Sequence, residues 1–272
     1  MRSQDDIEQI IGAAHAAADA ARGAILPYFR LDGLAAENKH VPGARTESDF
    51  DPVTAADQAA ERAMRDVLST LRPHDAILGE EFGASPGTSG LTWVLDPIDG
   101  TRGFLAGTPT WGVLIAVTDE AGPIYGMIDQ PYMAERFEGG LDRSTMSGPM
   151  GMRALRARGD RPLAEATVMT TFPTVGTPQE GAAFARVADG ARMVRYGCDC
   201  YAYALLAMGQ IDLVIEAGLN PYDICAPIAV IEAAGGIVTD WQGGPAHEGG
   251  RVVAAAAAVQ HAAALAILSD VL

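Results

Sequence analysis

The spacing of apolar residues divides the first quarter of the chain into two helices and an intervening loop. Residues 7–29 carry Ile, Ala and Phe at spacings of three and four, which predicts an amphipathic helix that ends near Pro27. The segment 32–53 is rich in Gly, Pro and charged residues without periodicity, which predicts a loop. Thr54 is a suitable N-cap for a second helix that runs to about Leu71. Both helices are predicted to pack against a core.

After the second helix the pattern changes to short runs typical of strands, at 76–78, 92–95, 111–118 and 124–128. The stretch 139–162 is rich in Gly, Arg and Met and is the best candidate for a lobe boundary, so we predict an N-terminal lobe over 1–145 and a C-terminal lobe over 146–272 within one compact unit. Beyond it the pattern predicts helices at 179–189, 200–208, 223–234 and 259–270 and strands at 192–196, 211–215, 237–239 and 251–256. This alternation indicates layered helices and sheets.

Composition narrows the possible partners. The 272 residues carry 19 Lys and Arg against 35 Asp and Glu, a net charge of −16, which argues against nucleic acid or an anionic membrane surface as a partner. No segment reaches the roughly 18 apolar residues that a membrane span needs. The polar N-terminus does not resemble a signal peptide. The three cysteines are too few for a disulfide framework, and we therefore expect a cytoplasmic protein.

Carboxylates stand where the predicted elements begin or end. Asp57 opens a helix and Glu80 closes a strand, positions at which a single acid is usually a cap or a turn former. Asp96 and Asp99 form a more specific pair, because Pro97 between them fixes φ and cannot donate to a strand ladder. Both carboxylates of this pair can point at one hard cation. Mg²⁺ prefers such ligands, and two ions that share a carboxylate suit in-line phosphoryl displacement.

The residues after this pair suit a phosphate group. Gly100 permits close approach of the backbone, and Thr101 stands at the start of a predicted short helix, where N–H groups can face an anion. Metal ions and aligned dipoles would also explain how a chain of charge −16 binds an anionic substrate.

Four motifs in this order resemble the inositol monophosphatase superfamily: DPVTAAD at 51–57, GEE at 79–81, WVLDPIDGT at 93–101, and YD at 222–223 followed by AAGG at 233–236. The resemblance implies an α+β fold, a layered α/β/α/β/α sandwich, and a homodimer. It also implies two or three Mg²⁺ ions per active site, one held by Glu80, Asp96 and the carbonyl of Ile98, and a second held by Asp96, Asp99 and Asp223. Asp57 and Thr101, with Glu80, would then activate the attacking water. The loop 32–50 would move with metal binding, with Lys39 and Glu47 closing on the site.

Within the superfamily, three stretches look more like the histidinol-phosphate phosphatases: TRGFLAGTPTWG at 101–112, DQPY at 129–132 with ERF at 135–137, and RYGCDCYAY at 195–203. We therefore expect an Mg²⁺-dependent phosphomonoesterase that converts L-histidinol phosphate to L-histidinol in histidine biosynthesis. Such a substrate has a cationic end, which Asp199 and Glu216 could meet, while Arg195 could hold the phosphate, order the acids, or form only a surface ion pair. The full expected substrate set is Asp99, Gly100, Thr101, Arg195, Asp199, Glu216 and Asp223.

Several alternatives remain open from sequence. One is an inositol-1-phosphate phosphatase or a broad small-molecule phosphatase acting on sugar bisphosphates or 3′-phosphoadenosine nucleotides, and a remote one is a catalytically silent regulator that binds metal and phosphate. Cys198 and Cys200 lack a second Cys or His pair at ligand spacing, which speaks against zinc. Tyr201 and Tyr203 are more typical of a core or an interface than of a ligand site.

Overall fold

The computed structural model describes residues 2–38 and 52–269. Its helices are α1 (Gln4–Ile25), α2 (Ala55–Leu71), α3 (Thr101–Leu105), α4 (Pro178–Gly190), α5 (Asp199–Ala207), α6 (Pro221–Ala233) and α7 (Ala258–Leu268). The strands are β1 (Ala36–Asn38), β2 (Pro52–Thr54), β3 (Ala76–Gly79), β4 (Gly83–Ser85), β5 (Thr92–Asp99), β6 (Gly112–Asp119), β7 (Gly122–Gln130), β8 (Glu135–Gly140), β9 (Arg143–Gly148), β10 (Gly151–Ala154), β11 (Thr167–Thr170), β12 (Met193–Tyr196), β13 (Leu213–Leu219), β14 (Ile237–Thr239) and β15 (Gly250–Ala255).

The two N-terminal helices form where the apolar spacing predicts them. Ser3 caps α1, because its hydroxyl accepts a hydrogen bond from the N–H of Asp6 at 3.2 Å. Thr54 caps α2 as predicted, and its hydroxyl accepts from the N–H of Ala56 at 3.1 Å. The capping satisfies backbone N–H groups that the first turn of a helix leaves unpaired.

The predicted loop 32–53 is wrong at both ends, because β1 pairs with β2 in an antiparallel two-stranded sheet. The pairing joins residues that are far apart in sequence, and such a partner leaves no periodic signal in a three-residue strand. The expectation that Lys39 and Glu47 close on the site concerns residues outside the described part of the chain.

A sheet of eight strands, in the order β10-β9-β8-β7-β6-β5-β3-β4, forms the larger layer. Only β3 and β5 pair in parallel in it, and its other neighbours are antiparallel. A sheet of five strands, β12-β11-β13-β15-β14, forms the smaller layer. Residue 145 lies within β9, and the chain passes from the large sheet to the small one between residues 154 and 167.

Three apolar clusters hold the layers together. The first packs α1 and α2 on one face of the large sheet, around Ile10, Met64 and Trp93. The second fills the space between the sheets with α5 and α6. The third packs α4 and α7 on the outer face of the small sheet, around Phe184 and Trp241. The order helix, sheet, helix, sheet, helix confirms the predicted α+β layered sandwich.

Among the described residues, no helix combines the length and the apolar character that a membrane crossing requires. Tyr203 is buried in the second cluster, and Tyr201 packs at its margin and donates to Glu135 at 2.6 Å.

Candidate active site

The site begins at an irregularity in β5. Asp96 pairs with Leu114 of β6 whereas Asp99 pairs with Gly112, so three steps on β5 oppose two on β6. Residues three apart in a regular strand point to opposite faces, and one extra residue in a bulge cancels that alternation. Pro97 occupies the bulge, where a missing N–H costs no ladder bond. The strand therefore continues to Asp99, beyond the predicted end at residue 95.

A third carboxylate comes from the start of α6. Asp223 is the third residue of this helix, and its carboxylate accepts from the N–H of Asn220 at 2.6 Å in a capping box. One carboxylate oxygen from each of Asp96, Asp99 and Asp223 can be chosen so that all three lie within 4.8 Å of one another. The structure thus brings together three of the predicted metal ligands, two from the large sheet and one from the helix layer between the sheets.

Glu80 lies beside this group, at the turn after β3. Its N–H donates to the carbonyl of Leu95 at 3.2 Å, and its side chain forms a hydrogen bond with Asp96. Two acids can share a hydrogen bond only if one of them holds a proton, and a cation bound between two carboxylates would take the place of that proton.

Buried Glu61 of α2 holds the turn that carries Glu80. It accepts from the N–H groups of Glu81 at 2.6 Å and Phe82 at 3.2 Å, and from Arg65 at 2.8 Å. A Cβ on Gly79 would lie 2.0 Å from the carboxylate of Glu61, so this glycine is required for the contact. Sequence reasoning missed Glu61, although a charged residue on the apolar face of a helix, four residues before Arg65, is a usable signal.

The carboxylates raise one another's pKa. Burial is the largest cause of the high pKa of Asp96, and the nearby charges of Glu80, Asp99 and Asp223 raise it further. Burial and the charges of Asp199 and Asp223 likewise raise the pKa of Asp99, against a lowering by Cys200. Such a group of acids holds its negative charges at neutral pH when a cation joins it.

Asp57 and Thr101 contact each other next to the bulge. The Thr101 hydroxyl is 3.3 Å from Oδ1 of Asp57 and 3.0 Å from the carbonyl oxygen of Ile98. Oδ2 of Asp57 accepts from the N–H of Thr54 at 2.8 Å and from its hydroxyl at 2.6 Å. Asp57 is fully buried and held at both oxygens, so it can keep a hydroxyl or a water in one orientation.

The predicted substrate residues Asp199 and Gly100 are in direct proximity. Gly100 has φ +85°, and a Cβ there would lie 2.8 Å from Cγ of Asp199, so only glycine fits. The N–H of Cys200 donates to Asp99 at 2.5 Å, which ties the start of α5 to the metal ligands. Burial raises the pKa of Asp199 to about 6, although the charge of Arg102 lowers it.

Glu216 lies buried on β13 and is held by the end of β11. It accepts from the N–H of Thr171 at 2.6 Å and from the hydroxyl of Thr170 at 3.1 Å. Burial raises its pKa to about 7, the bonds from Thr171 and Thr170 lower it, and the charge of Asp199 raises it. The two threonines were not anticipated from sequence, because they lie some 45 residues before their partner.

Arg195 stands apart from these acids. It is exposed on β12 and forms no hydrogen bond or ion pair with the residues that the structure describes, although its charge lowers the pKa of Cys198. The other predicted metal, catalytic and substrate residues lie at the bulge, at the turn after β3 and at the starts of α2, α3, α5 and α6, except Glu216, which lies on β13 where the charge of Asp199 acts on it.

Comparison with known proteins agrees with this arrangement. The model of the inositol monophosphatase family matches residues 6–272. A bifunctional phosphatase IMPL2, chloroplastic, from Arabidopsis thaliana is 41% identical over 89% of this chain and 67% of its own length. A histidinol-phosphatase from Mycobacterium tuberculosis is 32% identical over 77% of this chain and 82% of its own. The solved structure of an inositol monophosphatase from Zymomonas mobilis superimposes with a TM-score of 0.82 at 37% identity, over 98% of this chain and 100% of the other.

The resemblance inferred from the four motifs is thereby confirmed, and it extends over almost the whole chain. The matched region includes each residue of the acidic cluster, the bulge that aims Asp96 and Asp99 the same way, and the helix start that supplies Asp223. The chain belongs to the inositol monophosphatase family.

Proposed function

We propose that this chain is an Mg²⁺-dependent phosphomonoesterase that hydrolyses L-histidinol phosphate to L-histidinol and phosphate. Membership in a phosphatase family supports the class of reaction. The observation that carries the chemistry is the convergence of Asp96, Asp99 and Asp223, with an oxygen of each within 4.8 Å of the others. Three carboxylates this close repel one another unless protons or cations are shared between them.

The donor set fits a hard divalent cation. Enzymes of this family are metal-dependent, and carboxylate and carbonyl oxygens are the ligands that Mg²⁺ prefers. One ion would be held by Glu80, Asp96 and the carbonyl of Ile98. A second would be held by Asp96, Asp99 and Asp223, and a third ion could join these two. When bound, such ions acidify a water and neutralise developing charge on phosphate and leaving group.

Residues of this chain would orient the attacking water and accept its proton. Asp57 accepts from Thr101 while both of its oxygens are fixed, so the pair can hold the attacking water and take up its proton. Glu80 would support the same water from the other side. The N–H groups at the start of α3, after Gly100, would face phosphate oxygens. The leaving alcohol would depart toward α6 and regain a proton from solvent.

The substrate assignment rests on the second pair of acids. Asp199 and Glu216 interact electrostatically beside the metal ligands, and both have pKa values near neutrality. A leaving group with an ammonium and an imidazole would supply the missing positive charge, whereas a polyol would not. The M. tuberculosis relative carries the name histidinol-phosphatase, which favours the same substrate. Arg195 would reach this site only through a movement of its exposed side chain.

Inositol-1-phosphate is the second candidate substrate, because the Z. mobilis structure of 37% identity is described as an inositol monophosphatase. The hydroxyl groups of inositol can donate hydrogen bonds to Glu216, as the cationic groups of histidinol can. A homodimer and a cytoplasmic location stay predictions from sequence; gel filtration and fractionation test them.

The deciding experiment compares kcat/KM for phosphate release from L-histidinol phosphate, inositol-1-phosphate and fructose-1,6-bisphosphate at one Mg²⁺ concentration. We expect histidinol phosphate to be preferred by about 100-fold, about 2.7 kcal/mol of transition-state discrimination. Comparable values for the three esters would retain the metal chemistry and reject the substrate. Activity without divalent cations would reject the proposal as a whole.

A further inference from the structure

An arginine and a phenylalanine join the two halves of the site. The guanidinium carbon of Arg102, on α3, lies 4.9 Å from the centroid of the Phe172 ring, in the segment after β11. This distance is within the range of a cation–π contact. Both side chains are half-buried, so part of each remains accessible from outside. The contact bridges the large-sheet layer and the small-sheet layer.

Each partner adjoins a residue of the site. Arg102 directly follows Thr101, which contacts Asp57, and its charge acts on Asp199. Phe172 directly follows Thr171, whose N–H holds Glu216. The aromatic ring is therefore connected to Asp199 through Arg102, which contacts the ring and whose charge acts on Asp199, and to Glu216 through the backbone of Thr171, which is fixed by a hydrogen bond of 2.6 Å.

We propose that Phe172 is a specificity-determining residue that receives the planar ring of the leaving alcohol, and that Arg102 is the positioning residue that holds it. The inference rests on the proposed function and extends it. Carboxylates recognise charge but not planarity, so Asp199 and Glu216 alone would accept an aliphatic amine equally well. An aromatic face binds a flat heteroaromatic ring better than a puckered polyol, because only the flat ring packs on it in an offset-stacked or edge-on geometry. Arg102 covers one face of Phe172, and the substrate ring would meet the other.

The test uses the full-length protein with Mg²⁺ and two variants of one position. Phe172→Leu keeps an apolar side chain but removes the aromatic face, and Phe172→Tyr keeps the face. We expect Phe172→Leu to raise KM for L-histidinol phosphate about tenfold, with kcat within about twofold of the wild type. Phe172→Tyr should restore the KM. Values for inositol-1-phosphate should stay within about twofold in both variants.

Arg102 has a matched control on α2. The guanidinium of exposed Arg62 also lies 4.9 Å from a phenylalanine ring, that of Phe82. Arg102→Gln should raise KM for L-histidinol phosphate about threefold, in the range of a single exposed cation–π contact. Arg62→Gln removes an equal contact elsewhere and should leave KM unchanged.

Inhibition by L-histidinol separates this inference from the proposed function. If the wild type does not prefer L-histidinol phosphate, the proposed function fails. The inhibition constant of L-histidinol, measured with inositol-1-phosphate as substrate, still reports on the ring contact and should rise about tenfold in Phe172→Leu. An unchanged inhibition constant and KM in Phe172→Leu, or equal losses for both esters, would overturn the role of Phe172.

Discussion

Two groups of charged residues surround a buried acid of the large sheet, Asp96 in one and Asp129 in the other, and the two acids have different charged neighbours. The ion-pair network consists of Asp19 and Arg22 of α1, Asp129 of β7 and Arg136 of β8. Fully buried Asp129 accepts from Arg22 at 2.7 Å and from Arg136 at 2.7 Å, and Arg136 also reaches Asp19 at 2.7 Å. In the acidic cluster of Glu80, Asp96, Asp99 and Asp223, the charges that raise the pKa of Asp96 and Asp99 come from other carboxylates.

The difference separates a structural role from a functional one. A buried carboxylate that pairs with two arginines has its charge balanced by the protein itself. Removing the acid or an arginine leaves an unpaired charge in a low-dielectric environment. A buried carboxylate among other carboxylates is incomplete until a cation arrives. The charges that act most strongly on buried Asp96 are those of other carboxylates, so its burial points to an added cation, whereas the burial of Asp129 does not.

The largest expected effect is on turnover, in Asp96→Asn. This change removes the charge shared between the two proposed ion positions, so kcat/KM should fall about 10,000-fold, about 5.4 kcal/mol. In EDTA the free energy of unfolding should stay equal or rise, because one repelling charge has been removed. Phosphate release and urea denaturation measure the two quantities. An active Asp96→Asn enzyme would refute the metal assignment.

Asp129→Asn should show the opposite pattern. Arg22 and Arg136 would lose their shared acceptor, and the free energy of unfolding should fall by about 3–5 kcal/mol, the range for a broken buried ion pair. Folded protein should retain its kcat/KM. Urea denaturation gives the value, and Asp119→Asn, which removes a half-exposed partner of Arg2, is the control with an expected loss of at most about 1 kcal/mol. A loss that small in Asp129→Asn would remove the distinction between the two groups.

Sequence could predict the acidic cluster but not what supports it. Asp96, Asp99 and Thr101 belong to one short motif, and Pro97 and Gly100 within it limit the backbone locally. The helices and most strands followed from apolar periods. The contact of Glu61 with the Glu80 turn spans 20 residues, and that of Glu216 with Thr171 spans 45. Such partners depend on which strands become neighbours, and that information is not local. The pairing of β1 with β2 was missed for the same reason.

A pH titration would contrast a carboxylate near each group, Glu216 beside the acidic cluster and Glu138 beside the ion-pair network. Burial raises the pKa of Glu216 from 4.5 to about 7, so its contribution to stability is complete below pH 4.5 and is lost as pH rises through 7. Relative to Glu216→Gln, the metal-free wild type should therefore lose about 3 kcal/mol of unfolding free energy across this window.

Glu138, next to the ion-pair network, should respond with the opposite sign. Burial raises its pKa, but hydrogen bonds from His15 and Tyr125 outweigh burial and hold it below its usual value. Its contribution is present above pH 4.5 and is lost as pH falls through the lowered pKa. Glu138→Gln should thus cost more stability at pH 7 than at pH 4, as urea titrations at the two pH values would record. Equal slopes for both variants would contradict the contrast.

The smallest expected effect is the stabilisation by added Mg²⁺, and it tests the comparison most directly. An ion that binds only the folded state should raise the free energy of unfolding of the wild type by about 2.7 kcal/mol at 100 times its Kd. Asp129→Asn should start from a lower stability but gain the same increment, because this substitution lies in the ion-pair network and leaves the proposed metal ligands intact. Asp96→Asn should gain much less. Thermal unfolding with and without Mg²⁺ measures all three, with Asp119→Asn as the control that should match the wild type. An equal gain in Asp96→Asn would mean that Mg²⁺ binds elsewhere, and a bound ion would no longer explain why these carboxylates lie together.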